Sequence, residues 1–224
     1  ATLDTDDVFK ANSYTQSAGT GLTKFDDAVT LSGKMDFTGT NLTLNAAVNS
    51  GSTIEVTNSG TFTTAAAGDI TSTSTFTQNG SGANSLAGNI TTTNSNISFA
   101  KAITLTGDVA MSTGAGAGNM TFTETIDGTT ANTEDFTLTA GTGNITFNAH
   151  IGNTKQLDDF TIESAQNVTI NKIFKSDNFD MNNNAAVTIN ADGKLYIKAD
   201  DLDTTAGNAV ADNLDAGTGE VIIS

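Results

Sequence analysis

The stretch from Phe136 to Ile197 constrains the fold more than any other part of the chain, because it holds one unit three times. Phe136-Thr137-Leu138 is answered by Phe160-Thr161-Ile162 and by Phe179-Asp180-Met181. Ile145-Thr146-Phe147 is answered by Val168-Thr169-Ile170 and Val187-Thr188-Ile189. A shorter series runs Ile151, Ile173-Phe174, Leu195-Tyr196-Ile197. Each unit carries three small strands and recurs after roughly 19 to 24 residues, the period range of solenoids. Side chains alternate along a strand, so each beat puts its apolar pair on one side and its central residue on the other. No beat is long enough to stand alone. Three strands closed into a coil, with coils stacked about 4.8 Å apart, pair their backbone groups from coil to coil and enclose apolar ladders. The pattern predicts an all-β parallel β-helix (β-solenoid) of roughly nine or ten coils, with three short strands per coil. Phe136, Phe160 and Phe179 form one ladder, and Ile145, Val168 and Val187 another. An antiparallel sandwich also uses many short strands, but with hairpin turns and no fixed three-beat unit.

The chain has 224 residues, enough for one large all-β domain. It has no Pro, as a stacked sheet that needs every strand amide as a donor requires. With no Cys, disulfides and thiolate metal sites are excluded. The basic residues are all Lys, nine against 25 acids, for a net charge of -16. Such a surface repels nucleic acid and anionic lipid, so neither is an expected partner, and cations are the natural counter-species. No stretch approaches the ~20 apolar residues of a membrane span. The chain opens at Ala1 with no visible signal peptide, which suggests a processed mature segment.

Residues 1–26 fit the repeat poorly and read as an N-terminal cap or intersubunit joint, since a first coil exposes a sheet edge. Residues 27–199 read as the solenoid body, opening on Val29-Thr30-Leu31, Met35-Asp36-Phe37 and Leu42-Thr43-Leu44. Between 57 and 95 the signal thins to single apolar beats at Phe62, Ile70, Phe76 and Ile90, and the pattern sets no coil boundaries there. Ala65, Ala66 and Ala67 are expected to line the interior. Beats recover at Ile97-Ser98-Phe99. Residues 200–224 read as an acidic loop and a C-terminal strand. The recurring phrases Gly88-Asn89-Ile90-Thr91, Gly118-Asn119-Met120-Thr121 and Gly143-Asn144-Ile145-Thr146 suit a left-handed corner before a strand, with Asn side chains bonded along the stack.

The segment Leu138-Thr-Ala-Gly-Thr-Gly-Asn-Ile-Thr-Phe-Asn148, then Ile151-Gly152 and Phe160-Thr-Ile-Glu-Ser-Ala-Gln-Asn-Val-Thr-Ile170, resembles the repeat region of the filamentous haemagglutinin family of large bacterial surface proteins. Phe25-Asp-Asp-Ala-Val-Thr-Leu31 with Thr38-Gly-Thr40 is similar to another part of it. The likeness covers most of residues 25 to 197. It implies a right-handed parallel β-helix, export, and a shaft-like or adhesive role at the cell surface. The family's secretion domain is not evident here.

The catalytic inventory is thin. His150 is the only His, and no nucleophile-elbow pattern accompanies it, so it reads as an ordinary residue beside a strand. The β-helix lyases that cleave acidic polysaccharides generally use an Arg base, which this chain lacks. Asp158-Asp159 and Asp200-Asp201 are acid pairs of the kind hydrolysis uses, though adjacent loop acids are usually solvated. The expectation is no enzyme and no required cofactor. Asp4, Asp6 and Asp7, and Asp200, Asp201 and Asp203, are candidate Ca²⁺ ligands, although neither group matches a known calcium loop. Of the outward rows, Thr137, Thr161, Asp180 is broken by a charge, and Thr146, Thr169, Thr188 is intact but short; intact Thr rows are a route to ice recognition by fold-level analogy. At the ends, Val8 and Phe9 and the terminal Val221, Ile222 and Ile223 are candidate assembly residues. The expected function is a structural extracellular solenoid, a self-stacking head-to-tail filament or shaft. The alternative is an adhesin segment that binds carbohydrate or a host surface.

Overall fold

The computed structural model describes residues 3–5, 7–182, 186–190, 194–197, 214–215 and 220–223, with side chains described for 7–182, 188–190 and 194–195. It is an all-β parallel solenoid of about nine coils with three parallel sheets. Every strand pairing is parallel, because each rung of a face meets the next only after the chain has gone once around. Three faces follow one another in each coil. Phe9–Ala11 starts the first face, Tyr14–Gln16 the second, and Leu22–Phe25 lies on the third, next to Leu3–Thr5.

The beats stack as the repeat predicts. Phe136 pairs with Phe160, and Phe160 with Phe179, on the first face. Ile145 pairs with Val168, and Val168 with Val187, on the second. Ile126, Ile151, Phe174 and Leu195 continue the third. The strand Ile173–Met181 rounds a corner, giving Phe174 to the third face and Phe179 to the first. Alternation explains the burial: in strand after strand the outer two residues of a beat are buried and the central one is at least partly exposed. The core is one continuous ladder system from Tyr14 to Leu195.

Within residues 1–26, the described strands Phe9–Ala11, Tyr14–Gln16 and Leu22–Phe25 each join one of the three sheets of the shaft. Phe9–Ala11 pairs in register with Val29–Leu31, and Tyr14–Gln16 with Met35, Asp36 and Phe37. Phe9, Tyr14 and Phe25 close the end of the core edge-to-face, at ring separations of 6.0, 6.0 and 5.3 Å. The alanines depart from expectation: Ala66 and Ala67 are exposed and Ala65 half-buried, because they form the corner after Phe62–Thr64 rather than a strand. In residues 50–113 buried polar side chains share the interior with apolar ladders such as Ile54, Phe62, Ile70, Phe76 and Ile90. Ser50, Asn58, Thr64, Ser72, Gln78, Asn84, Thr92 and Thr113 are each no more than 4% exposed.

The Gly-Asn phrases also serve otherwise than predicted. Left-handed backbone occurs at Gly114, Gly141, Gly152, Asn94 and Asn132, and not at the phrase glycines. Gly143 is required for room: a Cβ there would sit 1.9 Å from the Gly118 carbonyl oxygen one coil away. Asn119 and Asn144 do stack along the second face, whereas Asn89 belongs to the first face and caps the Ala110 amide at 2.7 Å.

Candidate functional site

Three surfaces carry the functional options: the acidic flank of the first face, the outer side of the second face, and the two ends.

The first-face flank is built from carboxylates that continue the backbone pairing. The amide of Asn89 donates to Asp69 Oδ1 at 2.8 Å, that of Asp135 to Asp108 Oδ1 at 3.1 Å, and that of Asp159 to Asp135 Oδ1 at 3.1 Å. Each acid satisfies an amide of the next coil, so the stripe has a structural cause. The Asp158-Asp159 pair falls in this region. Asp159 accepts from the Asn178 side chain, and the Asp158 amide donates to the Glu134 carbonyl at 3.0 Å. Beyond the pair, Asp180 stands on an outward position beside Asp159 and Glu163. Burial first, then the charges of Asp159 and Glu163, push its carboxyl above the usual Asp range.

His150 performs the same capping task at a corner of the third face. Its Nδ1 accepts the Ile173 amide at 3.2 Å, so in that geometry the ring proton is on Nε2. Glu134 is 4% exposed and was not singled out from sequence, because it sits in a polar loop rather than in a beat. One of its oxygens takes the Thr129 hydroxyl, and the other has no hydrogen-bond partner.

Among the candidate calcium ligands, Asp7 is exposed and accepts its neighbouring Val8 amide at 2.9 Å. Asp4 is described by its backbone alone, paired with Lys24. Asp6, Asp200, Asp201 and Asp203 lie outside the described residues. Among the described residues no group of three or more His, Cys, Asp or Glu could hold a metal, and no helix is long and apolar enough to cross a membrane.

The outer side of the second face is more extensive than the sequence suggested. The row Thr146, Thr169, Thr188 continues backwards in unbroken register through Thr121, Ser98 and Thr77. One amide rank flanks it: Asn167 Nδ2 donates to Asn144 Oδ1 at 2.7 Å, Asn144 Nδ2 to Asn119 Oδ1 at 3.3 Å, and the Asn119 amide to Asn96 Oδ1 at 2.8 Å. On the other flank Asn171 Nδ2 donates to Asn148 Oδ1 at 2.9 Å, and the Asn190 side chain to Asn171. From Thr75 to Asn171 every outward position on this face is Asn, Thr, Ser or Ala. Charges return in the two preceding coils, at Glu55 and then Asp36. Seeing this row from sequence requires the beats Phe76-Thr77-Gln78 and Ile97-Ser98-Phe99 to be placed in register, and the buried Gln78 hides the first.

At the ends, the assembly candidates occupy terminal rungs. Val8 is the one exposed large hydrophobic among the described residues, at 49%, and Phe9 is only partly buried against the core. The backbone of Glu220–Ile223 pairs in register with Lys194–Ile197 of the same chain, making it the last described rung of the third face. Leu214–Asp215 ends the second face on Val187 and Thr188. At both ends, then, the outermost described strands have one edge paired and one unpaired. No family model, curated protein or solved structure matches the chain, and its fold identifies it as a β-solenoid repeat protein.

Proposed function

We propose that the chain is a structural segment of an extracellular shaft, built by head-to-tail stacking of solenoids, of the kind found in filamentous haemagglutinin-like bacterial surface proteins. The supporting observation is the pair of parallel edges that, among the described strands, carry no further strand. The core runs from the first coil to Leu195, and the outermost described strands keep the parallel register of the interior at both ends. Each such edge presents unpaired N–H and C=O groups, a template for another parallel strand. One end of a copy meets the other end of the next, a heterologous contact that does not close and therefore propagates. Val221, Ile222 and Ile223 lie on the terminal rung at one end, and Val8 and Phe9 lie at the other.

The test is electron microscopy of the purified chain beside a variant lacking residues 220–224. The full chain forms filaments one solenoid wide. The truncated chain keeps its β signature and melting transition but stays as single rods. Filaments of unchanged length from the truncated chain would remove the terminal strand from the junction, and the absence of filaments from the full chain would overturn self-stacking.

A further inference from the structure

We propose that the uncharged outer side of the second face is a lateral interface, and that its occupant is a second copy of this chain lying alongside the first.

Charge singles out this face. At a net charge of -16, two copies repel through most approaches. In the same coils the first-face flank carries Asp108, Asp135 and Asp159, and the third face and its corners carry Lys101, Glu124 and Asp127. Like charges set against each other across an interface cost several kcal/mol. The second face between Thr75 and Asn171 meets its own image with no charge on either side.

The chemistry of the face is self-complementary. Thr hydroxyls and Asn amides each donate and accept, so one surface satisfies a copy of itself, as a two-fold contact requires. Stacked Asn ladders on regular parallel sheets are also the material of dry sheet-to-sheet packing. The Asn side chains are already fixed by bonds to the coils above and below, so little rotamer entropy remains to be lost on contact.

Area sets the strength. Five coils at about 4.8 Å and five strand residues at about 3.3 Å give a patch of about 400 Å² on each copy. A pair buries about 800 Å² in total, below the ~1,000 Å² of a stable complex. Single chains therefore pair weakly. An array of them pairs strongly, because each added subunit makes its contact at high effective concentration. This multiplicity rests on the head-to-tail reading above. The residual repulsion is long-range and screened by salt, so pairing strengthens as salt rises, opposite to an interface held by ion pairs.

The experiment compares fibre width by negative-stain microscopy at about 10 mM and about 1 M salt, where the screening lengths are about 30 and 3 Å. The chains are wild type, Thr146→Lys, Thr146→Glu, and Thr104→Lys on the third face. Wild type and Thr104→Lys give paired or bundled fibres at high salt, and both Thr146 variants give single fibres of normal length. A generic electrostatic account makes the opposite prediction for Lys, since a cation on an acidic rod promotes association. Pairing by Thr146→Lys equal to wild type overturns the interface. So does a face that serves a neutral glycan instead, seen as loss of binding to insoluble glucan in the Thr146 variants with fibre width unchanged. If no chain forms fibres, the head-to-tail reading fails on its own. The lateral contact is then decided by beads densely coated with each chain. Clustering of wild-type beads at high salt that Thr146→Lys abolishes supports it, and absence of clustering overturns it.

Discussion

Residues 50–113 and residues 120–181 build the same three-faced coil around one continuous apolar core, and differ in what fills it beside the aliphatic ladders. In the second region phenylalanines from all three faces meet. Phe160 of the first face touches Phe147 of the second at 5.8 Å and Phe174 of the third at 4.6 Å, as well as Phe136 and Phe179 above and below it. In the first region the phenylalanines run in single file, Phe62 to Phe76 to Phe99 at 6.2 and 5.3 Å, and the corners are polar. Ser50 donates to the Gly33 carbonyl at 2.8 Å and Thr113 to the Gly118 carbonyl at 2.9 Å. Thr64 accepts the amides of Ala87 and Gly88 at 3.2 and 3.0 Å. Both regions are held by dispersion and apolar burial, and the first adds buried polar side chains that satisfy corner backbone groups left unpaired by tight turns. A solenoid coil needs a filled interior, and polar side chains can share the filling with apolar ones.

The largest effect that sharpens this contrast comes from Phe160→Ala. The ring is fully buried among four others, so the cost falls in the range of about 3–5 kcal/mol for Phe→Ala, at its upper end. Phe62→Ala removes a ring with one aromatic neighbour and belongs at the lower end. Denaturant midpoints of the two variants measure the difference. Equal shifts would show that the single-file region is as tightly packed as the cluster.

Next comes Gln78→Leu, which tests whether the polar corners hold their region. Gln78 is 1% exposed; its amide donates to Asn58 Oδ1 at 2.7 Å, and its Oε1 accepts the amides of Ala100 and Lys101 at 3.2 Å each. Leu keeps the bulk. The Ala100 amide retains the Gln78 backbone carbonyl at 2.9 Å, while Asn58 Oδ1 and the Lys101 amide lose this partner. The expected loss is about 1–3 kcal/mol. Asn58→Leu combined with Gln78→Leu then costs less than the sum of the two single changes, because no half-satisfied pair remains. Strict additivity in a double-mutant cycle would break the idea of a coupled polar corner.

The same contrast explains what could be read in advance. Residues 136–181 are legible because on the first two faces both inward positions of each beat are large and apolar, as in Phe136-Thr137-Leu138 and Ile145-Thr146-Phe147, so alternation and period coincide. From Phe62 to Thr92 one inward position of each beat is Thr, Ser, Gln or Asn, as in Phe62-Thr63-Thr64, Ile70-Thr71-Ser72 and Asn84-Ser85-Leu86. A hydropathy pattern reads these as exposed, and only the corner carbonyls they bond to explain their burial. For the surfaces, the break at Asp180 was visible. The six-rung hydroxyl row was not, since its register depends on those hidden beats. The capping role of His150 depends on the amide one coil away, which no local motif encodes.

The smallest effect concerns Asp180, the charge that interrupts the row Thr137, Thr161 in the phenylalanine region. Its folded carboxyl is held above the usual Asp value by burial and by Asp159 and Glu163. The folded state therefore binds a proton more readily than the unfolded chain. Between the ordinary Asp value and the raised one, the native protein carries more protons, so Asp180 makes stability fall as pH rises through that window. Above the raised value its cost is constant; below the ordinary value it vanishes. Asp180→Thr continues the row and removes the charge, and should stabilise the fold at neutral pH by a few tenths of a kcal/mol to about 1 kcal/mol, the range for relieving like charges on neighbouring strands. The gain should shrink as pH drops towards 4, the ordinary Asp range. Melting curves of both chains across that range check the sign. A gain that persists unchanged into acid would mean that the mutation acts through packing of the new Thr and not through the removed charge.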